Sequence, residues 1–178
     1  MIHTSSTIGF VLAMALAVGG CESNLPPDVA KCSYVNPTYR FAMNLPAGWS
    51  VRESPGSSAI LALGPAGKDG VRPSIEVAIE PYDPMMDLDV NVGYHLEGLS
   101  KMQGFRLVAS EGAPASPHRQ TFALTFKHSA LGVPLVQRQL YERVDDRLYV
   151  TTATTSEAND EADGPVLEAA IASIRVGW

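Results

Sequence analysis

The sequence predicts an α+β domain: a single antiparallel sheet of about six or seven strands with two helices packed on one face. Three observations predict it. Apolar and polar residues alternate in short runs, at Ile75, Val77 and Ile79 and again at Phe122, Leu124 and Phe126. That two-residue period belongs to strands with one packed face and one wet face. Two other stretches, Leu88 to Met102 and Val166 to Ile174, switch to three- and four-residue spacing, the period of amphipathic helices. Links between the strand runs are mostly short, which favours antiparallel neighbours.

The chain opens on an apolar run, residues 8 to 18, interrupted only by Gly9. As a helix it would extend about 16 Å, whereas a membrane span needs about 20 residues. The run suits the hydrophobic region of a signal peptide. Val18-Gly19-Gly20-Cys21 follows directly and resembles the lipobox of bacterial lipoproteins. The resemblance implies cleavage before Cys21, a diacylglyceryl thioether on its sulfur and an acylated amine, palmitate being one such chain. Two or more acyl chains anchor a protein stably to a bilayer. The expected organisation is a lipoprotein signal peptide over 1–20, a lipidated N-terminus and spacer over 21–32, and one domain over 33–178. The segment before Cys21 lacks Lys and Arg, unlike a usual signal. A cleaved signal without lipid, or a buried N-terminal helix, are the other readings. With Cys21 lipidated, Cys32 is the one thiol left, and an inert thiol is expected there. A Cys21–Cys32 disulfide would require the lipobox reading to be wrong.

Glu22 to Lys31, with Pro26 and Pro27, reads as an extended spacer. Phe41, Met43 and Leu45 alternate as a strand, Pro46-Ala47-Gly48 turns the chain, and Trp49 and Val51 continue beyond it. Ser54 to Ser58 is a turn, Ile60 to Leu63 a short strand, and Gly64 to Gly70 a loop. Ser74 to Pro81 is the cleanest strand, with Ile75, Val77 and Ile79 to one side and Glu76, Ala78 and Glu80 to the other. A helix then starts near Asp87, carries Leu88, Val92, Leu96 and Leu99, and stops at Gly104. Phe105 to Ala109 is a strand and Gly112 to Pro117 a turn-rich gap. Thr121 to Lys127 is a strand, and Leu135 to Val144 is a mixed one suggesting a bulge or an edge. Asp145-Asp146 is a hairpin turn, and Leu148 to Thr155 is rich in β-branched residues. Glu157 to Asp163 reads as a polar loop, and Gly164-Pro165 as the start of the last helix.

Three patches are similar to the PsbP-like domain family, which includes a photosystem extrinsic subunit, DcrB-type bacterial envelope lipoproteins and cytosolic chaperones for secreted effectors. The first is Phe41-Ala42-Met43-Asn44-Leu45-Pro46-Ala47-Gly48-Trp49. The second is Asp146-Arg147-Leu148-Tyr149-Val150-Thr151-Thr152-Ala153. The third is the terminal helix closing on Ser173-Ile174, where the family usually has an aromatic. The resemblance implies a PsbP-like fold and a role in binding or assembling proteins. It brings no catalytic motif.

Composition and motifs narrow the chemistry. The net charge is −6, so nucleic acid and anionic lipid headgroups are poor partners through bulk electrostatics. His95, His118 and His128 have no short two-ligand spacing, and no metal site or cofactor is expected. Asp87-x-Asp89-x-Asn91 and Asn159-x-Glu161-x-Asp163-Gly164 imitate the start of a calcium loop, but their twelfth positions are Gly98 and Ala170 where a bidentate Glu is needed. Gly67-Lys68 lacks the other residues of a phosphate loop, and no Gly-x-Ser-x-Gly elbow occurs. No catalytic residue is expected, and the chain is read as a non-enzyme.

What remains is surface. With the apolar runs turned to the helices, the opposite face shows Glu76, Glu80, Thr125 and Lys127, with Gln137 and Gln139 beside them. This is the candidate protein-binding face. The function expected is a lipoprotein anchored to a bacterial membrane through Cys21, its domain facing the periplasm or cell exterior, with a non-catalytic binding or scaffold role towards a protein. The alternative is a periplasmic small-molecule or metal-ion binder, with a cavity near Trp49, Tyr94 and Tyr141.

Overall fold

The computed structural model describes residues 25–53, 58–116 and 119–178, with backbone alone at 113–116. Among the described residues the elements are β1 Tyr34–Asn36, β2 Phe41–Met43, β3 Ser50–Glu53, β4 Ser58–Leu63, β5 Ser74–Pro81, α1 Leu88–Leu99, β6 Arg106–Ser116, β7 Arg119–Ala130, β8 Val133–Val144, β9 Arg147–Ser156, α2 Asp160–Ala172 and β10 Arg175–Val176. Seven strands form one sheet in the order β3-β4-β5-β9-β8-β7-β6, and β1-β2-β10 form a second. Every pairing is antiparallel. The chain leaves β5, crosses over through α1 to the far edge, and returns strand by strand until β9 lies against β5.

The α+β class and the seven-stranded antiparallel sheet agree with the sequence. The single sheet and the placing of both helices on one face do not, since β1-β2-β10 stand apart as a second sheet. Residues paired across antiparallel strands share a face. Ile75 pairs with Ala153, and Ile79 with Tyr149. These residues join Phe41, Met43, Ile60 and Val77 in a cluster closed by Leu167, Ala170 and Ile174 of the α2 segment. Phe122 pairs with Tyr141, and Tyr141 with Val150. They join Leu124, Phe126 and Leu148 in a cluster closed by Leu88 and Val92 of α1. The helices therefore cover opposite faces. The cause lies in β9, whose Leu148 and Val150 point one way and Tyr149 and Ala153 the other; a strand apolar on both faces needs a cover on each. The small sheet helps to cover the α2 side, with Phe41 and Met43 fully buried. Asn44 N–H donates to Ser173 Oγ at 2.8 Å and ties that sheet to α2.

Other local readings shift. β6 runs to Ser116, so backbone at 112–116 is strand rather than turn. The bulged edge is also β6, with register shifts between Leu107 and Ala109 and between Pro114 and Ser116. β8 is central and pairs without a shift on both sides. Its mixed pattern reflects two packed faces. Helix α2 begins at Asp160, with Asp160, Glu161 and Asp163 in its first turn, and Pro165 lies inside it. Acidic side chains favour the positive end of a helix, so a stretch read as a polar loop is partly the helix start. β1 and β10 carry three and two residues, too few for a periodic signal.

Candidate functional site

The register redistributes the expected binding face. Glu76 and Glu80 lie on the α1 side of β5, where they pair with Thr152 and Leu148. Thr125 and Lys127 lie on the α2 side of β7, where they pair with Arg138 and Val136. The four do not form one surface. Lys127 is committed to an ion pair with Glu157. The reason is geometric: β5 and β7 are not neighbours, and two intervening strands set their relative phase. Cys21 and His118 lie outside the described residues.

On the α1 side the helix covers only part of the sheet, and beyond it a polar strip begins. Gln137 Nε2 donates to Thr154 Oγ1 at 2.9 Å, and Gln139 Nε2 donates to Thr152 Oγ1 at 3.3 Å. These rungs join β8 to β9. Tyr141 O–H donates to Gln139 Oε1 at 2.6 Å. The Ser58 hydroxyl donates to the Glu76 carboxylate across the neighbouring strands. Glu76, Glu80, Gln137, Gln139, Thr152 and Thr154 are all half-buried and reach solvent. The ring of His95 on α1 meets the ring of Tyr141 edge-on at 5.4 Å, so the helix rim overhangs one end of the strip. Burial lifts the Tyr141 phenol above its ordinary range, and the nearby Glu80 charge adds to the lift. That phenol stays protonated and serves as a fixed hydrogen-bond donor.

The strip can present amide and hydroxyl groups and two carboxylates in a fixed order. Its Gln–Thr rungs are held by neighbouring strands, so little side-chain entropy remains to be lost on binding. The sequence reading leaves Thr152 and Thr154 off the binding face and assigns Tyr141 to a ligand cavity instead. A signal existed: a two-residue turn at Asp145-Asp146 sets Val144 opposite Arg147, and the same register places Gln139 opposite Thr152.

The α2 side is knit together instead. Arg138 donates through Nη1 to Asp160 at 2.7 Å and through Nε to Glu168 at 2.9 Å. Thr155 Oγ1 donates to Asp163 at 2.6 Å. Asp160 and Asp163 of the second calcium-like stretch thus brace α2 against the sheet. Among the described residues no group of three metal-ligating side chains gathers. Trp49 packs on the α2-side cluster, while Tyr141 is buried on the α1 side and Tyr94 is largely exposed, so the three share no cavity. An open groove of about 540 Å³ lies between Leu45-Pro46 and Pro165, Val166 and Ala169 of α2. His128 is buried against Phe126 with both ring nitrogens unpartnered. Cys32 is a free, partly exposed thiol. Among the described residues no helix is long and apolar enough to cross a membrane.

No family model and no curated protein matches the chain. Solved structures do. The solution structure of cyanobacterial PsbP (CyanoP) from Synechocystis is similar with a TM-score of 0.63 at 13% identity, over 81% of this chain and 91% of that one. LpqN, involved in cell envelope biogenesis of Mycobacterium tuberculosis, is similar with a TM-score of 0.58 at 12% identity, over 78% of this chain and 83% of that one. A protein of unknown function from Pseudomonas aeruginosa, PA94, gives 0.54 at 17% identity, over 72% and 92%. At such identities the likeness shows the fold, which is PsbP-like.

Proposed function

We propose that this chain is a lipoprotein of the bacterial cell envelope, anchored through Cys21 and related in role to DcrB-type envelope proteins, that binds or scaffolds another protein without catalysis of its own. The observation that carries the reading is the polar strip beside α1, a row of paired Gln and Thr side chains held open to solvent and flanked by Glu76 and Glu80. The lipobox supports the anchor, and the description of LpqN as an envelope-biogenesis protein fits the compartment. The carboxylates favour a partner segment that offers N–H or cationic donors.

Two measurements test it. Replacing Cys21→Ser should move the protein from the membrane to the soluble fraction; retention on the membrane would refute the anchor. A photoreactive side chain at Thr152 should cross-link one saturable protein in intact envelopes, and the same group at Thr125, on the other face, should not. Equal capture from both positions would remove the strip as the binding surface.

A further inference from the structure

The β6 edge of the large sheet points to a partner of a different kind. β6 occupies that edge and, among the described residues, pairs with β7 alone. Among the described residues no other backbone hydrogen bond reaches Arg106–Gly112. A long unpaired edge is a template for strand addition unless something blocks it. Leu107 and Val108 stand exposed on this edge, at 39% and 53%.

The charges on the edge are arranged for self-recognition. Arg106 pairs with Lys127 of β7 and Glu111 with Ala123, so both lie on the α2 face. Arg106 directly opposes a like charge, an unfavourable cross-strand pair. Lys127 has its carboxylate in Glu157, while Arg106 and Glu111 make no ion pair among the described residues and are exposed. The bulge at Val108 matters here. On the β7 ladder it makes Ala109 the step midway between Arg106 and Glu111. A two-fold axis perpendicular to the sheet and passing by Ala109 would therefore set Arg106 of each copy opposite Glu111 of the other, and Leu107 opposite Ser110. A small residue would sit on the axis, where the copies come closest.

We infer that the β6 edge is an isologous dimer surface, pairing antiparallel with β6 of a second copy about Ala109 and making one continuous sheet from the two. An isologous contact of this kind closes on itself and does not propagate. Two chains anchored to one membrane would meet there at raised effective concentration. The inference stands apart from the polar strip, which faces the α1 side rather than the edge.

Cysteine cross-linking of the full chain in its envelope tests it. Residues facing each other across an antiparallel pair lie close enough for a disulfide. With Cys32→Ser as background, Ala109→Cys should give a covalent dimer on a non-reducing gel. Leu131→Cys, at the fully exposed tip of the β7–β8 hairpin, should not. Arg106→Glu should reduce the Ala109→Cys dimer about tenfold, since two attractive pairs become repulsive. Adding Glu111→Arg should restore it. Circular dichroism of each variant checks that the fold is kept. No dimer above the Leu131→Cys level, or a dimer indifferent to both charge changes, overturns the inference.

Discussion

At the scale of single residues, Glu142 shows how burial and pairing compete. Its carboxylate is buried, accepts from Arg119 at 2.9 Å and leaves Oε2 without a partner. Burial raises its pKa, the Arg119 hydrogen bond and charge pull it back, and the net direction is up from 4.5. The folded state therefore holds this proton more tightly than the unfolded chain does. Its stabilising contribution is complete below the ordinary glutamate range and is lost as pH rises through the folded value. Glu142→Gln keeps the acceptor for Arg119 and removes the charge. The variant should melt above wild type at pH 7, and the two curves should converge near pH 4. Thermal melts across that range check the sign. A gap of constant size would mean that the carboxyl's titration is not linked to folding.

At the scale of elements, Gly64 couples β4 to the loop before β5. An added methyl group would lie 2.7 Å from Pro73 Cγ and 2.8 Å from Trp49 Cε2. Overpacking of this kind costs about 2 kcal/mol. Gly64→Ala should lower stability by about that much in urea unfolding, with a shift in tryptophan emission as Trp49 is displaced. The same scale shows what was legible in the sequence. β5, α1 and β7 were read from period alone, because each has one apolar side and one polar side. β8 was misread as an edge or a bulged strand, since Val136 and Tyr141 are buried on opposite faces and no single alternation survives. Half of the binding face was legible for the same reason. Glu76 and Glu80 share a side within one strand, a local fact. Whether Thr125 and Lys127 join them depends on the phase of β9 and β8, which only the pairing reveals.

At the scale of the whole molecule, the two apolar clusters are separate in space but share β9. Leu167 closes one and Leu124 belongs to the other, and both are buried. Truncating either, as Leu167→Ala or Leu124→Ala, should cost about 3 kcal/mol. The costs should add in the double variant, because the sites share no partners. Unfolding should stay a single transition by fluorescence and circular dichroism alike, since neither cluster survives without β9. Two resolved transitions would show that the halves fold separately.

The alternation of β9 also bears on how such a chain can diverge. Because one strand serves two faces with different side chains, substitutions on the α1 side need not be matched by changes beneath α2. One face can hold the architecture while the other drifts towards new partners. Such a division of labour would let the fold persist while most of the residues on one face change.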